Sequence, residues 1–531
     1  MSIDALGRRL WQAVSPVRRA AFFSCLIAGY LCHLYAFTNL IPNSDGLSRV
    51  FDPQQMTVSG RWFLHYASAL NDFTQMPAVI GLLSLLFLAL AAALVTDVLG
   101  LRSRVLAGLA GAVMALFPCV GYTFLYLFTA SAYCLAIFLA VLSVWLARRG
   151  DLGWPFGVMA LALSMGTYQA YAAVAIALSL LAVFREVLDP RASFRKTLRL
   201  GLRLVTYLAA GAVLYYVILR IFLAVKGLEL LSYLGMDAAS AGYPFSRLPG
   251  LILDTYKQAI AFFFLPGSAN GFASLPFAIL NLLALGMGLG AVWTAFAGRG
   301  LFREKWRVLG GLALLALLPL GMNFMQVLSP WSAPTPLMKY SFVSVYLLVL
   351  LVLDRADGLG ELGKPYALLP AAAVWCALLL FCLTTNNLLY TASAQAHRAT
   401  ESYATRLLTR IESCEGYEPG MEIALVGAVP AEQIVSDIPS YAQVDHYSVP
   451  LNSVLPLNKH LYYYLSDWLN FPVDELSEET MLAISGDPEF QAMPLYPAQG
   501  SVRVLDGRVV VRLAETYTPK SDYEIAYENR R

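Results

Sequence analysis

The sequence predicts a polytopic α-helical membrane protein that ends in a small α/β domain. Three observations carry that prediction. Of the 531 residues, 58% are hydrophobic and 14% are charged, and mean hydropathy is +0.61, so the chain is more apolar and less charged than soluble domains. The apolar residues fall into about eleven runs, each long enough to cross a bilayer. After Tyr390 the composition turns polar.

Taken in order, Met1 to Ala20 carries Arg8, Arg9, Arg18 and Arg19, and Ala21 to Leu40 is apolar. The core is too long for a cleaved signal peptide and has no small-residue cleavage site, so it reads as an uncleaved anchor. Further spans are expected at 77–99, 105–121, 126–147, 153–167, 169–184, 203–224, 275–297, 307–327, 339–354 and 366–390. Basic residues supply the orientation. With the N-terminus in the cytoplasm, that side receives Arg102, Arg104, Arg148, Arg149, the run Arg185 to Arg203, the group Arg299 to Arg307, Arg355 and Lys364. Roughly twenty of the 37 Lys and Arg residues fall there, against about seven in the opposite connections. The expected topology is N-terminus inside and C-terminus outside, with outer loops at 41–76 and 225–272.

The transmembrane domain is therefore expected over 1–390 and an outer α/β domain over 391–531. The latter holds β-like runs such as MEIALVG and GRVVVRL and helix-like stretches around 392–413 and 459–470. It carries twenty acidic and ten basic residues, and the whole chain has a net charge of only +2; neither suits a nucleic-acid partner. Six of the seven cysteines lie in apolar runs and Cys414 stands alone, so no disulfide framework or zinc spacing follows. Gly358 to Lys364 reads GLGELGK, but without a strand before it or a βαβ unit around it this is a short turn between spans.

The chemistry gathers in Ile41 to Tyr66, which places Asp45, Arg49, Asp52 and Arg61 beyond the first span. Outside the cytoplasm there is no nucleotide supply, so a group-transfer enzyme needs a substrate that brings its own activation. A polyprenyl-phosphate sugar meets that need. Its phosphate leaves as a stable anion, so one carboxylate to deprotonate the acceptor and a few cations suffice, with no metal. Asp45 is the candidate base; the competing reading is an acid capping a helix that starts near Leu47. Asp52 is either a partner that orients Arg49 or a sugar hydroxyl, or a loop acid before Pro53. Arg61, after Ser59-Gly60, is either a fork for phosphate or a snorkelling side chain beside Trp62. Lys339 and Arg220 present the same two readings.

Met165 to Ala173, MGTYQAYAA, reads as a tight outer turn that offers Tyr168, Gln169 and Tyr171 to sugar hydroxyls. The outer segment 226–271 contains Tyr243, Arg247, Asp254, Tyr256 and Lys257 around an amphipathic helix that can lie over a lipid-linked donor. His33, inside the first span, reads as a packed core residue.

An acid just after the first span (NSDG), SGRW some residues on, the MGTYQAY turn and the tail MPLYPAQGSVRVLDGRVVVRL together resemble the bacterial GtrII-like glucosyltransferase family. The resemblance implies a GT-C type fold and transfer of glucose from undecaprenyl-phosphate-glucose to the O-antigen of lipopolysaccharide on the periplasmic side of the inner membrane. It also implies, as partners, a flippase for the lipid-linked glucose and the synthase that makes it. Asp45 matches the essential acid of the first outer loop in such enzymes; Gly46 stands where a second acid is expected. The likeness of SGRW favours Arg61 as a phosphate ligand. Two other readings compete: a transporter or flippase of a lipid-linked saccharide, which predicts internal repeats that this chain lacks, and a polymerase or ligase of surface polysaccharide.

Overall fold

A computed structural model describes residues 2, 4, 9, 11–47, 51–230, 244–268, 271–328, 330, 334–356, 365–430, 432–435 and 454–519. The chain divides into two compact units, one of Met1–Thr38 with Pro53–Asn387, the other of Asn39–Asp52 with Leu388–Arg531.

The first unit is helical. Its main helices are α1 (Pro16–Thr38), α2 (Pro77–Leu99), α3 (Arg104–Leu116), α4 (Pro118–Leu125), α5 (Leu127–Ala147), α6 (Gly150–Thr167), α7 (Ala172–Val187), α8 (Phe194–Lys226), α9 (Leu248–Phe264), α10 (Leu275–Gly298), α11 (Lys305–Met322) and α12 (Ser344–Ala356). The break between α3 and α4 has a local cause. Pro118 pushes Phe117 out of the helical region, to ψ 129°, and the chain turns before resuming as a helix. Small residues let helices touch: a Cβ on Gly111 of α3 would lie 2.1 Å from the carbonyl oxygen of Ala21 in α1. Any larger residue would force that pair apart.

Among the described residues, nine helices are long and apolar enough to cross a membrane. Two of the expected spans, 153–167 and 339–354, fall outside that set. The first forms as α6, whose first turns, GDLGWP, carry Asp151 and Pro155 and lower its hydropathy; the second shortens to the thirteen residues of α12 because Pro336 to Val343 winds into two 3-10 turns.

A set of arginines near the ends of α2 and α7 is engaged with helix-terminal groups. Asp97, in the last turn of α2, accepts from Arg18 and from the indole of Trp145 at 2.9 Å, with Arg149 at 3.5 Å. Arg148 and Arg185 donate to the carbonyl of Val98. Arg355 reaches the carbonyls of Leu99 and Gly100, while Asp354 receives the backbone N–H groups of Arg102 and Ser103. Arg307, fully buried, donates to the carbonyls of Val187, Asp189 and Ala192. Guanidinium groups here satisfy the carbonyls that helix ends leave open.

Helix α13 (Pro365–Glu412) runs for 48 residues. The sequence reading ends a span at 390 and starts a separate helix-like stretch at 392; the two are one helix, because no glycine or proline occurs between Pro370 and Glu412.

In the second unit, β1 (Ile423–Val426) pairs in parallel with β3 (Arg508–Arg512), and β2 (Val502–Leu505) pairs antiparallel with β3. Asp506 and Gly507, both at positive φ, close the two-residue hairpin between β2 and β3. Ala424, Val426 and Val510 from the sheet meet Met481, Phe490, Met493 and Tyr517 in one apolar core. The turn Gly358 to Lys364 lies outside the described residues.

Candidate active site

Asp45 sits on a single 3-10 turn, Ser44–Gly46, in the second unit. Asn43 caps that turn, its Oδ1 accepting the N–H of Gly46 at 2.7 Å. Asn43 and Ser44 are buried while Asp45 is exposed. The helix expected to start near Leu47 runs into residues 48–50, outside the described residues, while Asp45 itself is exposed. The next carbonyl but one, Leu47 O, accepts the indole N–H of Trp468 at 3.0 Å. Trp468 in turn lies parallel to Tyr464, with ring centroids 6.3 Å apart, and the imidazole of His397 packs edge-on against both. Asp52 is buried. Arg49 lies outside the described residues.

In the first unit, the SGRW and MGTYQAY stretches interlock. Gln169 donates its amide N–H to Ser59 O at 2.9 Å and to the Tyr215 hydroxyl at 3.1 Å, and Tyr215 donates to Gly60 O at 3.0 Å. Between them they fix both carbonyls that precede Arg61. Gly60 takes φ +81°, a conformation that glycine adopts without a Cβ penalty. Phe63 N–H donates to Gly166 O at 2.8 Å, and Trp62 is buried against Phe222. Arg61 is thereby aimed. Its Nη1 donates to the Tyr133 hydroxyl at 3.1 Å, and its Cζ lies 4.9 Å from the centroid of the Tyr168 ring. Tyr133 and Tyr168 stack at 4.4 Å with 10° between their planes, and Tyr171 packs edge-on to both. The result is a half-buried guanidinium on an aromatic wall.

Tyr168, Gln169 and Tyr171 are themselves buried rather than displayed at a surface. Gln169 holds the loop that carries Arg61, and the Tyr168 ring supports the guanidinium. Tyr133 and Tyr215, which complete the arrangement, have no mark in the sequence that separates them from other tyrosines in apolar helices. Trp468 was equally hidden, being more than four hundred residues from the loop it holds.

Lys339 is buried between the turns Pro336–Met338 and Tyr340–Val343, its Nζ 6.0 Å from the Phe262 ring centroid. The hydroxyl of Tyr340 donates to Met114 O at 3.0 Å and fixes the second turn. On α9, Lys257 pairs with Asp254 at 3.3 Å on an exposed face, and Tyr256 donates to Ala316 O at 2.7 Å. Arg247 and Arg220 are exposed, and Tyr243 lies outside the described residues. His33 is fully buried, with Nε2 2.9 Å from Ala115 O, as a core histidine would be.

Residues 34–352 match the family described as glucosyl transferase GtrII. The match takes in Asp45, Arg61, the 165–173 turn and Lys339, and it stops short of the C-terminal α/β residues. No curated protein matches the chain, and no solved structure does.

Proposed function

The chain belongs to the GtrII glucosyltransferase family, and from that premise we propose that it moves a glucosyl residue from a polyprenyl-phosphate sugar to O-antigen or another surface polysaccharide. The transfer takes place on the periplasmic face of the inner membrane, with the N-terminus cytoplasmic and the C-terminus periplasmic. The observation that carries this reading is the interlock of Ser59-Gly60-Arg61-Trp62 with Met165–Tyr171, which spends a buried hydrogen-bond network on aiming one guanidinium. Preorganised cations act where charge develops in the transition state.

Asp45 takes the proton from an acceptor hydroxyl. The freed oxygen pair attacks the anomeric carbon, the bond from that carbon to the phosphate oxygen breaks, and the configuration inverts. The electrons of that bond leave on the phosphate, whose negative charge Arg61 and Lys339 stabilise. Asp52 and Arg49 assist Asp45 within the same loop, and the outer helix carrying Arg247 and Lys257 covers the lipid-linked donor. A flippase and a synthase for that donor are the partners this scheme needs.

The test is a transfer assay with purified protein in lipid, using radiolabelled undecaprenyl-phosphate-glucose and lipopolysaccharide, native chain against Asp45→Asn. Label is expected to reach the polysaccharide with the native chain alone. Substantial transfer by the variant removes Asp45 from the base role. Accumulation of flipped lipid without any transfer replaces the enzyme with a transporter.

A further inference from the structure

The C-terminal unit holds a recess of about 510 Å³ that no part of the transfer scheme uses, well within the ~300–1,000 Å³ typical of small-molecule sites. One wall is a single face of α13, where Tyr403, Arg406 and Arg410 follow at helical spacing with Thr409 beside them. Gln433 and Tyr496 supply the rest. Both tyrosine rings are buried and meet edge-on at 5.4 Å between centroids.

Two independent features point to a ligand. The Tyr403 side chain is 97% buried (3% exposed), and its hydroxyl has no hydrogen-bond partner among the described residues, although a buried hydroxyl left unmatched is costly. Arg406 and Arg410 are exposed and form no ion pair among the described residues, in a domain where acidic residues outnumber basic ones twenty to ten. Two other arginines of the domain are engaged: Arg508 pairs with Glu422, and Arg512 donates to the carbonyl of Gln491. Burial raises the Tyr496 phenol above its usual range, and the charges of Arg406 and Arg410 act in the opposite direction, so both guanidinium fields reach the recess.

We infer that this recess binds an acidic saccharide, with its carboxylate or phosphate held between Arg406 and Arg410. Two guanidiniums one helical turn apart match a bidentate anion. The Thr409 hydroxyl, the Gln433 amide and the Tyr403 hydroxyl answer sugar hydroxyls, which a simple inorganic anion would leave unused. That the saccharide is part of the acceptor polysaccharide rests on the transferase reading; the binding does not.

The experiment uses the full chain in nanodiscs of neutral lipid, with trigalacturonic acid and neutral maltotriose as probes in isothermal titration calorimetry. The acidic trimer is expected to bind the native chain, about tenfold or more tighter than maltotriose, and to lose about tenfold or more in the Arg406→Ala/Arg410→Ala double variant. The Arg406→Lys/Arg410→Lys variant is expected to recover part of that loss, and thermal unfolding of all variants is expected to match the native chain because both side chains are exposed. Equal binding of the two trimers, no binding to the native chain, or binding unchanged in the double alanine variant overturns the inference. Arginine-dependent capture of phosphatidylglycerol vesicles without trimer binding assigns the recess to lipid headgroups and overturns it as well. Trimer binding that depends on the arginines in a chain that transfers no glucose from any donor leaves the site standing and removes the transferase reading instead.

Discussion

Trp468 donates its indole N–H to the carbonyl of Leu47 at 3.0 Å, and so ties the loop that carries Asp45 to a helix in the C-terminal part of the sequence. The ring is held in turn by Tyr464 and His397. If the tie sets the position of the Asp45 carboxylate, Trp468→Phe keeps the packing and removes only the hydrogen bond, worth about 1 kcal/mol. Transfer is then expected to fall several-fold while thermal unfolding barely moves. Unchanged turnover at saturating donor and acceptor would show that the loop is positioned without it.

Gly60 lies where three pieces of the first unit converge. A Cβ there would lie 2.3 Å from Gln169 Nε2 and 2.6 Å from the Tyr215 hydroxyl, and the residue holds φ +81°. Gly60→Ala therefore combines a left-handed backbone cost of roughly 1–2 kcal/mol with displacement of both hydrogen bonds. Transfer is expected to drop by about tenfold or more, with a lower unfolding temperature. Part of the steric effect is separable: in Gly60→Ala/Gln169→Ala the Gln169 clash is gone and the Tyr215 hydroxyl alone stays close, so the two losses should not add fully. Strict additivity would mean that Gln169 and Gly60 do not act on Arg61 together.

Arg61 is the group this packing serves. Arg61→Lys keeps the charge but loses the fork and the guanidinium that lies over the Tyr168 ring. Arg61→Ala loses both. Donor KM is expected to rise in the order native, Lys, Ala, with acceptor KM much less affected. Equal effects on the two substrates would make Arg61 a structural support for the turn rather than a phosphate ligand.

How far these features could be read from the sequence depended on whether the cause was local. Helix positions followed from apolar runs, and the β3 run GRVVVRL and the tight Asp506-Gly507 turn follow from residue type alone. Asp45, Arg61 and the 165–173 turn stood out because polar residues at a span boundary are few. What joins Arg61 to the 165–173 turn did not: Gln169 bonds to a backbone carbonyl 110 positions away, and Tyr133 and Tyr215 look like any aromatic residues of an apolar helix. The continuity of α13 was legible in principle from the lack of glycine and proline, but the change in composition at Tyr390 drew the boundary inside an unbroken helix. Charge was read as topology, and the same arginines also proved to close helix ends.

Asp97 tests that second role. A carboxylate in the last turn of a helix opposes the helix dipole, at a cost of about 0.3–1 kcal/mol. Removing it should stabilise α2 if nothing else depended on it. Arg18 Nε donates to its Oδ1 at 2.7 Å and Trp145 to its Oδ2 at 2.9 Å, with Arg149 at 3.5 Å from the same oxygen. Hydrogen bonds to a charged group contribute roughly 1.5–3 kcal/mol each when partly buried, so the lost contacts outweigh the relieved dipole. Asp97→Ala is accordingly expected to lower the thermal unfolding temperature in detergent by several degrees, with Asp97→Asn between the two because it still accepts from Trp145. Arg18→Ala should cost less in the Asp97→Ala background than alone. A variant more stable than the native chain would mean that the dipole term wins and that the arginines at this end serve orientation alone.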